Sequence, residues 1–441
     1  MLKFVDNFLN QTTMYRVVLY YLTMLLGVSF VLSFFKLVPA TPIELLTSTA
    51  LLVSVCVITN EVFARVFNAP RNVESVYITA LILSLIITPT LSTDYLSYLP
   101  FAIWAGVLSM ASKYIFAYKK KHIFNPAGVA IVLTAMFIDG AATWWVGGNL
   151  YLAPFVVLGG ALIVRKIRRW DLVGSFVFAS VITTMLGAFN SGGNVPNILL
   201  QTVLHSCVFF FAALMITEPL TTPPSWPLRV MYGALVGVLF APNIHVGGIY
   251  STPELALVVG NIFSFAISPK IKSVMTLKRI EEVATDTYDF VFNPDRKFSF
   301  ASGQYLEWTL GHEPTDQRGN RRCFTISSSP TEEDVRIGIK FYPNPSSFKK
   351  TLASMKAGNI IMASQLSGDF VMPKDKNKKL VFIAGGIGIT PFRSMAKYLI
   401  DKNERRDIVL LYSNKKESEI AYREIFDEAQ KFWAEKRLYD N

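Results

Sequence analysis

The chain has 441 residues, 51% of them hydrophobic, and a mean hydropathy of +0.37, too apolar for a single soluble globule. Its formal net charge of +11 does not call for a nucleic-acid partner, because most basic residues of the first 270 positions cluster in short loops between apolar runs, as in membrane proteins. Three scattered cysteines, Cys56, Cys207 and Cys323, with no CxxC pair, argue against an iron–sulfur cluster and a disulfide framework.

The opening "MLKFVDNFLNQTTMYR" has no signal-peptide cleavage pattern, so the first apolar run reads as a retained span. Ten apolar segments approach the length needed to cross a hydrocarbon core of about 30 Å. They cover residues 14–35, 43–63, 76–90, 96–116, 123–138, 151–164, 172–189, 198–217, 228–241 and 253–268. With a cytoplasmic N-terminus, the cytoplasmic loops carry Arg65 and Arg71; Lys119, Lys120 and Lys121; Arg165, Lys166, Arg168 and Arg169; Arg229; and Lys270 and Lys272. The opposite loops hold Lys36, Asp94, Asp139 and little other charge. This asymmetry predicts about ten spans in a multi-pass protein of the cytoplasmic membrane, with the C-terminal part returned to the cytoplasm.

Two motifs recur five segments apart: "IITPTLS" (86–92) with "MITEPLT" (215–221), and "FNPAGVAIV" (124–132) with "STPELALVV" (251–259). An odd offset predicts a 5+5 inverted repeat, with Pro-interrupted segments facing a site near the bilayer midplane. Asn125, Glu218 and Glu254 lie in these motifs and are the candidate membrane-site residues; the alternative is that they cap broken helices. Asn60, Glu61, His205 and Asn261 are further polar residues within spans. His205 is the only histidine deep in a span, so a haem held by two histidines is not expected.

"KHIFNPAGVAIVL", "TWWVGG", "LAPFVVLGGALIVRKIRRWDLVGSF" and "LMITEPLTTPPSWPLRVMYGALVGVLF" resemble the D component of the Rnf electron-transport complex and the B component of the sodium-pumping NADH:quinone reductase. The resemblance covers roughly residues 1–270 and implies a transmembrane electron-transfer domain. Many members attach FMN to a threonine in S-G-A-T. That motif is absent; the nearest string is "DGAATWW" with Thr143. The membrane flavin implied is therefore a non-covalent FMN or riboflavin.

From about Lys278 onward charged residues are dense, placing a boundary near residues 268–276. Residues 273–375 read as β-rich: "TYDFVFNP", "QYLEWTL", "RCFTISSS", "VRIGIKFYP" and "NIIMASQL" alternate with turn signals, which predicts a small antiparallel barrel. "SFKKTLASM" has helical spacing, with Ser346 or Ser347 as its cap. Residues 378–441 hold "KLVFIAGGIGITPFRSMAKYL", a strand, a Gly-rich turn and a helix, then a second strand "DIVLLYSN" and helix "SEIAYREIFDEAQKFWAEK".

The order "GQYLEW", "RRCFTISSSP", "IGIKFYPNPSSFKKTL", "GDF" and "VFIAGGIGITPFRSM" is similar to that of ferredoxin–NADP reductase-type flavoproteins. The resemblance implies an FAD-binding barrel followed by an NAD(P)-binding α/β domain. In R-x-[YF]-[ST], Arg322 pairs with the flavin pyrophosphate, Phe324 lies on the isoalloxazine and Thr325 reaches its N5 edge. Phe324 and Thr325 are the residues implied at the reacting ring. Tyr305, Lys340, Ser346 and Ser347 are further cofactor-binding residues, with Asn344 standing where the family's G-x-x-[ST] turn has Gly. Gly385, Gly386 and Gly388 let backbone approach the NAD(P)H pyrophosphate; Thr390 caps the following helix and Pro391 suits its first turn. Family members continue beyond two strand–helix units with a Cys-Gly-containing loop. The sequence ending at Asn441 is therefore expected to be a fragment or to be completed by a partner.

The two resemblances imply an NAD(P)H-dependent flavin oxidoreductase, with no metal site. Electrons pass from NAD(P)H through FAD to a membrane cofactor, then to a quinone or an extracytoplasmic redox protein, with further subunits of a larger complex as partners. The alternative is a small-solute or flavin permease with a redox-sensing flavin domain.

Overall fold

The computed structural model describes residues 2–69, 73–90, 94–118, 121–269 and 271–433. Arg71, Lys119, Lys120 and Lys270 of the charge pattern lie outside the described residues, as does the stretch 434–441. The chain divides into two compact units, Met1–Ser268 and Pro269–Asn441.

The first unit is helical. It runs α1 (Leu2–Gln11), α2 (Met14–Phe34), α3 (Pro42–Val66), α4 (Val73–Ile86), α5 (Tyr95–Ile115), a hairpin of β1 (Ala117–Tyr118) and β2 (Lys121–His122), and α6 (Pro126–Ile138). Then come α7 (Ala153–Ile167), α8 (Trp170–Asn190), α9 (Val195–Leu204), and α10 (Val208–Phe210), which passes into a π-helical turn, Phe211–Met215. α11 (Trp226–Phe240), a hairpin of β3 (His245–Val246) and β4 (Ile249–Tyr250), and α12 (Pro253–Ile267) complete it. Helix starts follow local chemistry. Thr41 and Glu44 form a capping box ahead of α3, and Asn125 and Thr252 cap α6 and α12, each with Pro in the first turn.

All ten predicted apolar segments contain helix, but they are not ten full crossings. Among the described residues four helices are long and apolar enough to span alone, α2, α3, α5 and α8, and a fifth span counts α9 and α10 together across a 52° bend. α4, α6, α11 and α12 have 14, 13, 15 and 15 residues. At about 1.5 Å per residue they fall short of a core about 30 Å thick. α6, α11 and α12 each begin with a Pro in the first turn, which sets where the helix starts within its apolar run. His205 ends α9 at the bend, midway along the fifth candidate span, with its side chain exposed.

α5 packs on α3 and α6, and α11 on α8 and α12. The α8–α11 approach depends on small residues: a Cβ on Gly237 would meet the Phe176 carbonyl oxygen at 2.4 Å.

The second unit opens with β5 (Lys272–Ala284), a strand that the sequence pattern does not single out. Its first half alternates with Ser273, Met275 and Leu277 inward, while the charged residues of 278–282 mask the pattern. β6 (Thr287–Pro294), β7 (Tyr305–Thr309), β8 (Arg321–Thr325), β9 (Val335–Lys340), α13 (Ser347–Ala353) and β10 (Ile360–Ser367) follow. The six strands form one antiparallel sheet ordered β8-β7-β10-β5-β6-β9. Just past β8, the Ser327 N–H donates to Arg336 O of edge strand β9 at 2.8 Å, so the sheet curls on itself. Phe290, Phe292, Leu306, Trp308 and Ile337 fill it, and Phe348 and Leu352 of α13 join this core.

β11 (Leu380–Gly385), a 3₁₀ turn (Gly386–Ile389), α14 (Thr390–Asp401), β12 (Ile408–Ser413) and α15 (Arg423–Ala429) make the remaining α/β part. β11 and β12 are parallel, with Gly385 level with Ser413. α14 and α15 bury Phe382, Ala384, Ile408 and Leu410 of this pair. On the opposite side Val381 and Ile383 are exposed.

Candidate functional site

Register decides how the β8 residues are presented. β7 and β8 pair Tyr305 with Thr325, Leu306 with Phe324, and Trp308 with Arg322. Side chains alternate along a strand, so Arg322 and Phe324 share the face of the buried Leu306 and Trp308, and Thr325 shares the other with Tyr305. The Phe324 ring centroid lies 5.8 Å from that of Phe348, and the Arg322 guanidinium lies 5.3 Å over the same Phe348 ring.

Arg322 is held from several directions. Its Nη1 donates to the carbonyls of Arg318 at 2.7 Å, Gly319 at 3.0 Å and Arg321 at 2.6 Å. Its Nη2 faces Asp316 Oδ1 at 3.4 Å. The other oxygen of Asp316, Oδ2, accepts the Ser347 N–H at 3.0 Å, and the Asp316 N–H donates to Ser347 Oγ at 3.0 Å. His312 Nε2 stands 2.9 Å from the same Ser347 hydroxyl. Burial alone pushes the Asp316 carboxyl upward; the Ser347 and Arg318 N–H groups and the charges of Arg322 and Arg318 outweigh it and hold the carboxyl below its ordinary range. Lys349 is nearby in charge: burial, then Arg318 and Arg322, lower its pKa. Two guanidinium charges thus act on one carboxylate, with Lys349 close to both of them, a set of cations suited to an anion with more than one charge.

The expected helix-leading turn is present. Asn344 has φ of 61°, the left-handed geometry required of it, and Ser346, not Ser347, caps α13 by accepting the Lys349 N–H. Lys340 Nζ lies 2.5 Å from Glu419, an ion pair that raises the lysine's pKa and lowers the glutamate's. Sequence reasoning passes over His312 and Asp316. An acidic residue just ahead of Arg318, Arg321 and Arg322 is the available signal.

The Gly-rich turn is of a different kind. A Cβ built on Gly385, Gly386 or Gly388 meets no atom within 4 Å, and only Gly386 has a positive φ, +49°. At Gly303, by contrast, a Cβ would lie 2.0 Å from the Phe370 carbonyl oxygen, so that glycine is demanded by packing. Gly385 and Gly388 are not. The open space beside their backbone is a cradle that side chains would fill, which fits close approach by a dinucleotide. Pro391 sits in the first turn of α14 as expected, but Thr390 does not cap. The 3₁₀ turn runs straight into the helix, Thr390 already has helical dihedrals, and its hydroxyl donates back to Ile387 O at 3.2 Å.

Buried polar contacts fasten the α/β part to the curled sheet. Arg393 of α14 donates to Ser327 O at 3.1 Å and to Glu332 Oε1 at 3.0 Å. The Tyr422 hydroxyl donates to Asp289 Oδ1 at 2.5 Å, and burial raises the pKa of both groups.

In the helical unit Asn125 and Glu218 meet: Asn125 Nδ2 donates to Glu218 Oε2 at 3.0 Å. His122 Nε2 lies 2.8 Å from Glu218 Oε1, and Asn261 Oδ1 accepts the Asn125 N–H at 2.8 Å. Glu254 does not share these bonds; it accepts the indole N–H of Trp144 at 3.1 Å. The Thr143 hydroxyl pairs with that of Thr88 at 2.7 Å.

Residues 382–439 match the family model described as Oxidoreductase NAD-binding domain. The chain is 32% identical over 136 residues to a flavohemoprotein of Candida albicans, covering 30% of this chain and 33% of that protein. It is 29% identical over 150 residues to flavohemoprotein A of Dictyostelium discoideum, covering 31% and 38%. The chain therefore spans about a third of the length of the curated relatives it matches. A ferredoxin-NADP+ reductase structure from Plasmodium falciparum aligns at 21% identity and a TM-score of 0.34, over 38% of this chain and 72% of that one. The second unit is similar to NAD(P)H-dependent flavin oxidoreductases, and FAD and NAD(P)H are the cofactors this similarity points to.

Proposed function

We propose that the chain is a membrane flavoprotein oxidoreductase that takes electrons from NAD(P)H through FAD to its helical unit and on to a quinone or an extracytoplasmic acceptor. The observation that carries this reading is the presence, in one compact unit, of a cationic cluster around Arg322 and an open Gly-rich turn after β11, on the same chain as four or five membrane-length helices among the described residues. FAD, when bound, supplies the conversion of a hydride's electron pair into single-electron steps. The chain's own residues do the positioning. Arg322 and Ser347 hold phosphate, Phe324 offers an aromatic face at the end of β8, and Thr325 and Tyr305 offer hydroxyls on the other face. The turn at 385–388 admits the nicotinamide dinucleotide by its backbone. No side chain is required to transfer a proton.

In the helical unit, the matched order of elements supports the 5+5 repeat. Each set of five ends in a helix, a two-stranded hairpin and a Pro-led short helix: α5, β1–β2, α6 and α11, β3–β4, α12. The same symmetry favours a second reading, a solute permease carrying a redox-sensing domain. Flavin content and turnover separate the two. Full-length protein purified in detergent should hold FAD, oxidise NAD(P)H and reduce a soluble quinone analogue. Solute flux in proteoliposomes without NAD(P)H oxidation would instead support the permease. A C-terminal reporter found outside the cytoplasm would sink the electron-transfer scheme.

A further inference from the structure

We propose that Asp316 is an internal competitor for the flavin phosphate, so that cofactor binding requires the segment 312–318 to release Ser347 and Arg322. The proposal rests on the flavin reading above and concerns the same site.

Ser347 offers two groups to a phosphate, its N–H and its hydroxyl, and this segment takes both. The N–H donates to Asp316 Oδ2 at 3.0 Å. The hydroxyl oxygen accepts the Asp316 N–H at 3.0 Å. His312 bonds the same hydroxyl: its Nδ1 lies 2.9 Å from Leu310 O and its Nε2 2.9 Å from Ser347 Oγ. The remaining oxygen of Asp316 faces Arg322 Nη2 at 3.4 Å and accepts the Arg318 N–H at 2.9 Å. One carboxylate therefore bridges the guanidinium and the backbone N–H that a phosphate would use. A backbone N–H has one hydrogen and serves one strong acceptor at a time. A phosphate oxygen at Ser347 and the Asp316 carboxylate exclude each other.

The charges say which anion prevails. Arg318 and Arg322 both act on this one carboxylate, and Lys349 adds a further positive charge beside them. A pyrophosphate brings two negative charges to them where Asp316 brings one, so the diphosphate of FAD can displace the side chain. A flavin lacking phosphate has nothing to offer the cluster.

The test is a flavin-fluorescence titration of the detergent-solubilised full chain with FAD and with riboflavin, on the wild type, Asp316→Asn and Asp316→Ala. Both variants should bind FAD more tightly, about tenfold for Ala, the scale of one charge-assisted hydrogen bond, with riboflavin affinity unchanged. FAD affinity that is unchanged or weaker makes Asp316 a support for Arg322 and overturns the proposal. An equal gain for riboflavin overturns it as well, since loosening and not phosphate competition is then at work. Should the variants misfold, hydrogen exchange on the wild type decides: adding FAD should speed exchange at the Asp316 and Arg318 amides, and slower or unchanged exchange contradicts release. A wild type that binds neither flavin overturns the flavin reading itself, a result distinct from wild-type binding that the variants leave unaltered.

Discussion

On the function proposed above, the curled sheet and the α/β part of the second unit each offer a place for a pyrophosphate, and they are built by opposite means. Around Arg322 the place is made of side-chain charge, crowded, and bridged by the chain's own carboxylate. After β11 it is bare backbone, with open space beside three glycines. Charge holds a ligand tightly and is weakened by salt. Backbone N–H groups hold it through shape and lose it when shape is lost. A resident cofactor suits the first arrangement and an exchanging substrate the second.

Removing charge should have the largest effect. Arg322→Ala is expected to weaken FAD binding by about 100-fold, since a guanidinium–phosphate contact is charge-assisted and each such bond is worth roughly 1.5–3 kcal/mol. Riboflavin binding should hardly change. Equal losses for both flavins, read by fluorescence titration, would show that Arg322 shapes the sheet and does not bind phosphate.

The backbone site should fail differently. Gly385→Val adds atoms where no neighbour lies within 4 Å, so folding and FAD affinity should be unaffected. The KM for NAD(P)H should rise about tenfold as the side chain obstructs close approach. A fall in FAD affinity of similar size would merge the two places into one and end the contrast.

Those differences are partly legible in the sequence. Arg322, Phe324 and Thr325 stand out because a short motif specifies residue types, and the Gly-rich turn because glycine is needed where backbone is approached. Thr390 departs from expectation because its role depends on the 3₁₀ turn ahead of it, whose geometry follows from folding and not from local spacing. Asp316 escapes notice because its partner Ser347 is 31 residues away in sequence. In the helical unit, segment existence is readable from hydropathy. Span count is not, because the Pro and cap residues that mark a segment also set where its helix starts.

The two parts are also fastened to each other, and loosening that joint tests whether their properties are separable. Tyr422→Phe removes the hydroxyl that donates to the buried Asp289. A buried acceptor left without its donor costs about 1–3 kcal/mol. The full chain should melt at lower temperature while FAD affinity holds, because the Tyr422–Asp289 bond includes none of the residues bonded around Arg322. Loss of FAD together with stability would make the joint part of the flavin site.

The smallest effect expected is a pH dependence confined to the charged site. Asp316 is held below its ordinary value of 3.8 by the Ser347 and Arg318 N–H groups and by two guanidinium charges, against the opposing pull of burial. A carboxyl with a depressed folded pKa contributes stability above its unfolded value, and that contribution fades as pH falls through the folded one. The melting difference between wild type and Asp316→Asn should therefore favour the wild type above about pH 4 and shrink as the solution is made more acidic. The carboxyl is partly exposed, so solvent screening keeps the difference small. The bare turn has no titrating side chain, and Gly385→Val should track the wild type across the same range. A difference for Asp316→Asn that grows toward acid would mean that the cations around Arg322 are relieved, not satisfied, by losing the carboxylate, and the charge-built description of that site would have to be given up.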